Sequence, residues 1–394
     1  MKILHILYES HGDYFGVGGV ATRAYEIYRY LMQRHDITLL CKKYPGARDE
    51  EINGLRHIFV GTESRSLTKT FLSYAYQSAQ FVRKHGNDYD IIIEEFSPAI
   101  PTFLHAFTKR PVVLQVQGYT GFYYFKKYNP AYALILFLLE RIMPLFYRNF
   151  IFINSPTVKR VFPLHLRRDT PHESHLSLQE GEVIMRRLVS IIPNGISPDL
   201  LDVLPEDGDY ILYLGRIDIY SKGLDILIEA YREFYRSYPD IRLVIAGDGR
   251  DRQKFETMLM RIPAEVRRNI ELTGWITGDR KIETIRKALF CIFPSRHEAH
   301  PISVLEAMAC GKAVVVSDIP EFRYIVMKGA GDSFKSGDFR SLALIMKELT
   351  ECNEREDKGN KGRRLAGGLT WQRIAMEFED FLYRVMERGK GDKV

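Results

Sequence analysis

"YILYLGRIDIYSKGLDILIEAYREFY", residues 210–235, opens with a short apolar run, turns through a glycine-bearing loop and ends in an amphipathic segment. That order reads as strand, loop and helix. The stretches after it repeat the theme: "IRLVIAGDG", "NIELTG", "LFCIFPS" and "AVVVSD" are further strands separated by helical patterns. The stretches before it do the same. "KILHILY" (2–8) precedes "GVATRAYEIYRYLMQRH" (19–35), where Val20, Ala24, Ile27, Leu31 and Met32 recur at helical spacing. "DITLLC", "LRHIFV", "YDIIIEEF", "PVVLQVQG", "NFIFINS" and "VSIIPNGI" follow as strands. Near-continuous apolar strands alternating with helices predict an α/β fold with parallel sheets covered on both faces.

The pattern runs twice, and a seam rich in proline and glycine, "PNGISPDLLDVLPEDGD" (193–209), separates the two runs. Two Rossmann-like, doubly wound domains facing a cleft are therefore expected, over 1–193 and 194–370. The last helical pattern, "TWQRIAMEFEDFLYRVMER" (370–388), is expected to return and brace the first domain, so that 371–394 forms its own closing element.

A chain of 394 residues is too long for one ordinary core, which agrees with two domains. Lys plus Arg exceeds Asp plus Glu by 56 to 50, a formal charge of +6. This mild excess suits an anionic small ligand or membrane surface as well as nucleic acid and decides little by itself; no nucleic-acid partner is expected. Cys41, Cys291, Cys310 and Cys352 show no metal-ligand spacing and read as buried thiols in a reducing compartment. The N-terminus lacks the apolar core of a signal peptide, and "AYALILFLL" (131–139) is about half the ~20 residues of a membrane span. A cytoplasmic protein is expected, with contact at the inner face of the membrane open.

Parallel sheets bind ligands where strands end and helices begin. "LGRIDIYSKG" puts Arg216 at a strand's end and Lys222 just before a helix starting near Gly223, a place for a phosphate or diphosphate. The bland alternative is two solvated charges. "SRHEAHPISVLEAMACGKAVVVSD" (295–318) follows another strand. Pro301 is expected as the first helical residue, and Ile302, Leu305 and Met308 repeat at threefold spacing. Glu298 then lies in the loop, while Glu306 sits about one turn inside the helix. The backbone donors of Ile302, Ser303 and Val304 are expected to face the same ligand as Glu298. One carboxylate would hold sugar hydroxyls, the donors a phosphate and the second carboxylate a ribose diol. A satisfied helical glutamate is the plain reading of Glu306.

Near the start, "FGVGGVATRAYEI" sets Gly16, Gly18 and Gly19 before a helix, where backbone can approach a phosphate. Gly16, Gly18 and Ala21 also fit a nicotinamide-dinucleotide fingerprint. The glycines begin eight residues after the strand, however, and the acid at a suitable distance, Asp36, starts the next strand. A dehydrogenase is disfavoured.

Taken together, "GVGGVATRAYEIYRYL", "IIPNGI", "LGRIDIYSKGLDILIEAY", "LVIAGDG", "LTGWI" and "EAHPISVLEAMACGKAVVVSD" resemble the retaining GT-B glycosyltransferases of the "group 1" family (family 4). The resemblance covers essentially the whole chain, and Glu298 and Glu306 occupy the family's E-x7-E motif. It implies a nucleotide-diphosphate sugar as donor, with no metal and no other cofactor. It implies that Arg216 and Lys222 hold the diphosphate, Glu298 and its neighbours the donor sugar, and Glu306 the ribose. Gly18 and Gly19 would approach the phosphate from the first domain, and Gly247 in "LVIAGDG" belongs to the donor site. Asp88-Tyr89-Asp90 is a D-x-D triplet that merely opens a strand-like run.

Two residues depart from the family pattern. Gln117 stands where family members usually carry histidine, so a role needing a proton near neutrality does not carry over. His300 replaces a more usual apolar residue and is expected to line the donor-sugar pocket. The acceptor, a glycan or a lipid-linked one, would meet the first domain. There "GYTGFYYFKKYNPAYALILFLLERIMPLFYR" (118–148) mixes aromatics, basics and an apolar helix, as a peripheral membrane contact would. The polar stretch 167–182 looks like an added loop. A GT-B-shaped sugar-nucleotide epimerase and a non-catalytic nucleotide- or glycan-binding protein are the alternatives.

Overall fold

The computed structural model describes residues 1–10, 18–64, 66–162, 182–184 and 187–391. Gly16 and nearly all of the polar stretch 167–182 lie outside the described residues. The chain divides into two compact units, one of residues 1–194 with 371–394 and one of 195–370.

The first unit is built from β1 (Lys2–Leu7), α1 (Gly19–Leu31), β2 (Asp36–Lys42), β3 (Glu50–Ile52), β4 (Leu55–Val60), α2 (Leu67–His85), β5 (Ile91–Glu95), β6 (Val112–Val116), α3 (Tyr124–Lys127), α4 (Pro130–Ile142), β7 (Asn149–Phe152), α5 (Ser155–Val161), β8 (Glu182–Ile184) and β9 (Arg187–Ile191). The sheet order is β3-β4-β2-β1-β5-β6-β7-β9-β8. All neighbours pair in parallel except the two edge hairpins, β3 with β4 and β8 with β9. Ile3, Leu4, Ile6 and Leu7 are buried on both faces of β1, as a central parallel strand requires.

The second unit contains β10 (Tyr210–Leu214), α6 (Leu224–Tyr235), β11 (Arg242–Ala246), α7 (Arg252–Leu259), α8 (Ala264–Arg268), β12 (Ile270–Gly274), α9 (Gly278–Arg286), β13 (Cys291–Phe293), α10 (Ile302–Ala309), β14 (Val314–Ser317), α11 (Arg323–Met327), β15 (Gly331–Phe334), α12 (Phe339–Glu351) and α13 (Arg355–Gly367). Its sheet runs β12-β11-β10-β13-β14-β15, parallel throughout. Leu227, Tyr231 and Phe234 of α6 are buried against Ile211 and Ile245 of the sheet. Each such side chain contributes roughly 1.5–3 kcal/mol.

The final helix, α14 (Trp371–Gly391), belongs to the first unit. Phe378 meets the ring of Tyr28 on α1 edge-on, and Glu379 accepts from His35 at 2.5 Å and pairs with Arg34 at 2.9 Å. One correction concerns α10: Pro301 is its extended N-cap (ψ 122°) and Ile302 its first residue. A fixed φ suits either position, so proline alone does not decide between them.

Chain order reverses across each sheet between two neighbouring strands, β1 and β5 in the first unit and β10 and β13 in the second. Loops leaving such strands diverge to opposite sides and open a crevice at their carboxyl ends.

Candidate functional site

In the second unit, the loops after β10 and β13 meet at that reversal. Gly223 makes the meeting possible, for its φ is +66° and a Cβ there would stand 1.9 Å from the carbonyl oxygen of Pro294. The same closeness ties β10 to β11, because a Cβ on Gly247 would lie 1.9 Å from the oxygen of Gly215. Arg296 grips both oxygens of Asp225 at 2.7 Å and fixes the start of the second loop.

These contacts bring Lys222 and Glu298 together. The Lys222 Nζ donates to Glu298 Oε1 at 2.5 Å, and Ser295 Oγ donates to the same oxygen at 2.7 Å. Both side chains are largely withdrawn from solvent, so the pair is screened less than a surface one. Arg216 lies on the same β10–α6 loop and is exposed. Its backbone is held by Tyr213, whose hydroxyl donates to the Arg216 carbonyl at 2.8 Å. Burial pushes that phenol well above its ordinary range, with the Glu298 charge adding to the rise and Arg216 opposing it.

Glu306 takes a different partner. Lys281 on α9 donates to its Oε1 at 2.6 Å, and neither side chain is fully exposed. Sequence spacing alone carries no sign of Lys281, because the pair is 25 positions apart with strand β13 between. Helix geometry leaves the N–H groups of Ile302, Ser303 and Val304 without intrahelical acceptors. His300 is 4% exposed and stacks on Tyr324 with ring centres 5.8 Å apart.

The first unit presents its own residues at the corresponding edge. Gly18 is the N-cap of α1, and the carboxylate of Glu9 accepts from Gly18 N at 3.0 Å and Ala21 N at 3.2 Å. A Cβ on Gly18 would fall 2.6 Å from that carboxylate, whereas the space beside Gly19 is open. An anion thus sits on the helix start where a phosphate was expected, and Glu9 had no sequence signal. Gln117 follows β6 directly and donates to both oxygens of Glu95, at 3.1 and 3.0 Å.

Among the described residues no group of three His, Cys, Asp or Glu is arranged to hold a metal. None of the four cysteines is in a disulfide. Burial pushes the Cys291 and Cys310 thiols up to about 12. Asp90, of the D-x-D triplet, accepts from the Lys2 N–H at 2.8 Å and caps a strand.

The profile described as "Glycosyl transferases group 1" matches residues 202–365, and that described as "Glycosyltransferase Family 4" matches 17–169. The chain belongs to the group 1 glycosyltransferases. This group 1 chain is 33% identical over 145 residues to the phosphatidyl-myo-inositol mannosyltransferase of Mycobacterium tuberculosis strain H37Rv, covering 35% of this chain and 37% of that one. It spans little more than a third of the length of that relative. An uncharacterized glycosyltransferase of Methanocaldococcus jannaschii is 28% identical over 206 residues, covering 51% of this chain and 55% of the relative. Among solved structures, sucrose-phosphate synthase of Thermosynechococcus elongatus superposes with a TM-score of 0.74 at 19% identity, over 97% of this chain and 98% of that chain. WaaG, a glycosyltransferase involved in lipopolysaccharide biosynthesis, gives 0.69 at 18% identity, over 96% and 98%. At these identities the likeness carries the fold, which is GT-B.

Proposed function

We propose that this protein transfers a hexose from a nucleoside diphosphate sugar to a glycan or lipid-linked acceptor, with retention at the anomeric carbon. The observation that carries the reading is the Lys222–Glu298 pair at the β10/β13 reversal, beside the N-terminus of α10. A departing diphosphate gains negative charge while the sugar becomes oxocarbenium-like. Cations and helix N–H groups already fixed in place stabilise that charge without reorganisation. In this reading Lys222 and Arg216 meet the diphosphate, with the amides of Ile302 to Val304 adding donors. Glu298 orients sugar hydroxyls, its own position held by Ser295 and Lys222. Glu306 accepts from the ribose diol through the oxygen that Lys281 leaves open.

With the leaving charge met by side chains and amides, the transfer requires no metal. Incubation with uridine-, guanosine- and adenosine-diphosphate sugars, followed by separation of products, tests this reading. The expected result is a new glycosidic bond of retained configuration, formed equally well in excess chelator. Release of an epimerised nucleotide sugar instead would establish the epimerase alternative.

The acceptor side of the reading rests on the first unit's α3–α4 region. No helix among the described residues is long and apolar enough to cross a membrane. Yet Phe122, Ile135 and Leu145 are 74%, 53% and 60% exposed, and Lys126 and Lys127 form the last turn of α3 in the same region of the chain. An apolar patch with a basic rim suits an anionic bilayer surface. Co-sedimentation with vesicles containing anionic lipid is expected, and Ile135→Glu is expected to abolish it. Equal recovery in the supernatant with and without vesicles would discard the membrane contact.

A further inference from the structure

β5 ends in two adjacent acids, and strand alternation sends them to opposite faces. Glu94 is buried under Thr102, Leu104 N and Tyr147, and burial raises its carboxyl to about 7. Glu95, 4% exposed, faces the other way and gathers donors alone. His5 Nε2 is 3.1 Å away, the Gln115 amide nitrogen is in close contact, and the Gln117 amide nitrogen spans both oxygens.

Both glutamines turn their amide nitrogens toward Glu95, and an amide N–H only donates. The same logic closes the inner end of the chain. Arg23, which can only donate, stands 3.5 Å from Gln115 Oε1. The order from the interior is a guanidinium, the carbonyl and N–H of Gln115, a carboxylate, then the N–H and carbonyl of Gln117. Gln117 is the outermost member, only half-buried, at the carboxyl end of β6. Beyond it, Glu140 takes the N–H groups of Thr120 and Gly121 at 2.7 Å each and holds the following loop.

We infer that Glu95 is a positioning residue that makes Gln117 an acceptor of fixed direction: with an N–H shared inward between both Glu95 oxygens, its Oε1 faces outward to receive a sugar hydroxyl of the substrate. This inference rests on the transferase reading and deepens it. The ligand group recognised there must carry a hydrogen, so a free hydroxyl is accepted and an etherified or deoxygenated one is not.

The test compares wild-type protein with Gln117→Glu and Gln117→Met in sugar-nucleotide turnover across pH. A carboxyl at 117 beside Glu95 has its pKa raised by the like charge. Below that pKa it donates its O–H to Glu95 and presents its carbonyl outward, as glutamine does. Above it, two carboxylates oppose each other. Charged and titratable groups facing the pair are His5 on β1, Arg23 and Tyr28 on α1, Tyr74 on α2, and Glu377 on α14 through Arg23. All of them are shared with the wild type, so its own profile subtracts them. The Gln117→Glu variant is expected to work at acid pH and to lose about tenfold in kcat/KM as pH rises, relative to wild type. Gln117→Met is expected to lose about tenfold at every pH. A Gln117→Glu profile parallel to the wild type, or full kcat/KM in Gln117→Met, would overturn the positioning role while leaving the transferase reading intact. No turnover of any sugar nucleotide by the wild type would overturn both.

Discussion

Replacing Lys222 by alanine is expected to lower turnover by on the order of 10²–10³, with the second unit still folded. The magnitude is that of removing one preorganised donor from a developing oxyanion, about 2.7–4 kcal/mol of barrier. Folding should survive because the partner is not abandoned: Glu298 keeps the Ser295 hydroxyl at 2.7 Å. Arg216→Ala is expected to act similarly on turnover and less on stability, since that guanidinium is exposed. Released nucleotide measured under saturating donor gives the comparison directly. Wild-type turnover in either variant would remove that residue from the mechanism. Lys222→Ala combined with Glu298→Gln adds a further check. If the lysine acts only by holding Glu298, the double variant should be no worse than Glu298→Gln alone.

The largest effect on stability is expected at Arg23. Its side chain is fully buried, and it donates to the carbonyls of Ile192 at 2.8 Å and Pro193 at 2.6 Å and to Asn194 Oδ1 at 3.1 Å. Burial lowers its pKa to about 10, with the Glu95 charge opposing the fall. Arg23→Met fills much of the volume but leaves those oxygens and the Glu95 carboxylate without their cation. Breaking a buried charge network from one side costs about 3–5 kcal/mol. Because the chain has two units, one overall midpoint would mix two transitions. Hydrogen exchange at the amides of β1, β5 and β6 reads the first unit alone, and faster exchange by a corresponding factor is expected there. Protection within about 1 kcal/mol of wild type would mean that the network is dispensable.

The elements that declare themselves in the sequence are those whose burial is monotonous. "YILYL" and "RLVIA" read as strands because both faces of a central parallel strand need apolar residues. β3, β8 and β15 escape notice for the opposite reason. "EEI" and "EVI" form short edge strands in antiparallel hairpins, and "GDSF" carries an aspartate at the sheet's rim. Edge strands need not be apolar on both faces.

The candidate site shows the same division. Loop and helix positions for Glu298 and Glu306 follow from strand, proline and apolar spacing. Which cation each carboxylate meets does not, because ion pairs across loops are fixed by the strand order rather than by distance along the chain. Strand order puts Lys222 beside Glu298 and leaves Lys281 for Glu306. Glu9 and Glu95 were hidden for the same reason. Each is an ordinary acid after an apolar run until the sheet brings it to a helix start or to a facing amide.

The claim on which the rest depends is that the second unit anchors a nucleoside diphosphate sugar through Lys222, Glu298 and Glu306. Thermal unfolding of the full chain with uridine-, guanosine- and adenosine-diphosphate sugars tests it most directly. A ligand at about one hundred times its Kd stabilises the folded state by about 2.7 kcal/mol, enough to raise the midpoint of the second unit's own transition visibly. The account predicts such a rise for one nucleotide class, and its loss when Glu306 is replaced by glutamine or Lys222 by alanine. A wild-type chain indifferent to all three classes, or a rise unchanged in both variants, would contradict it.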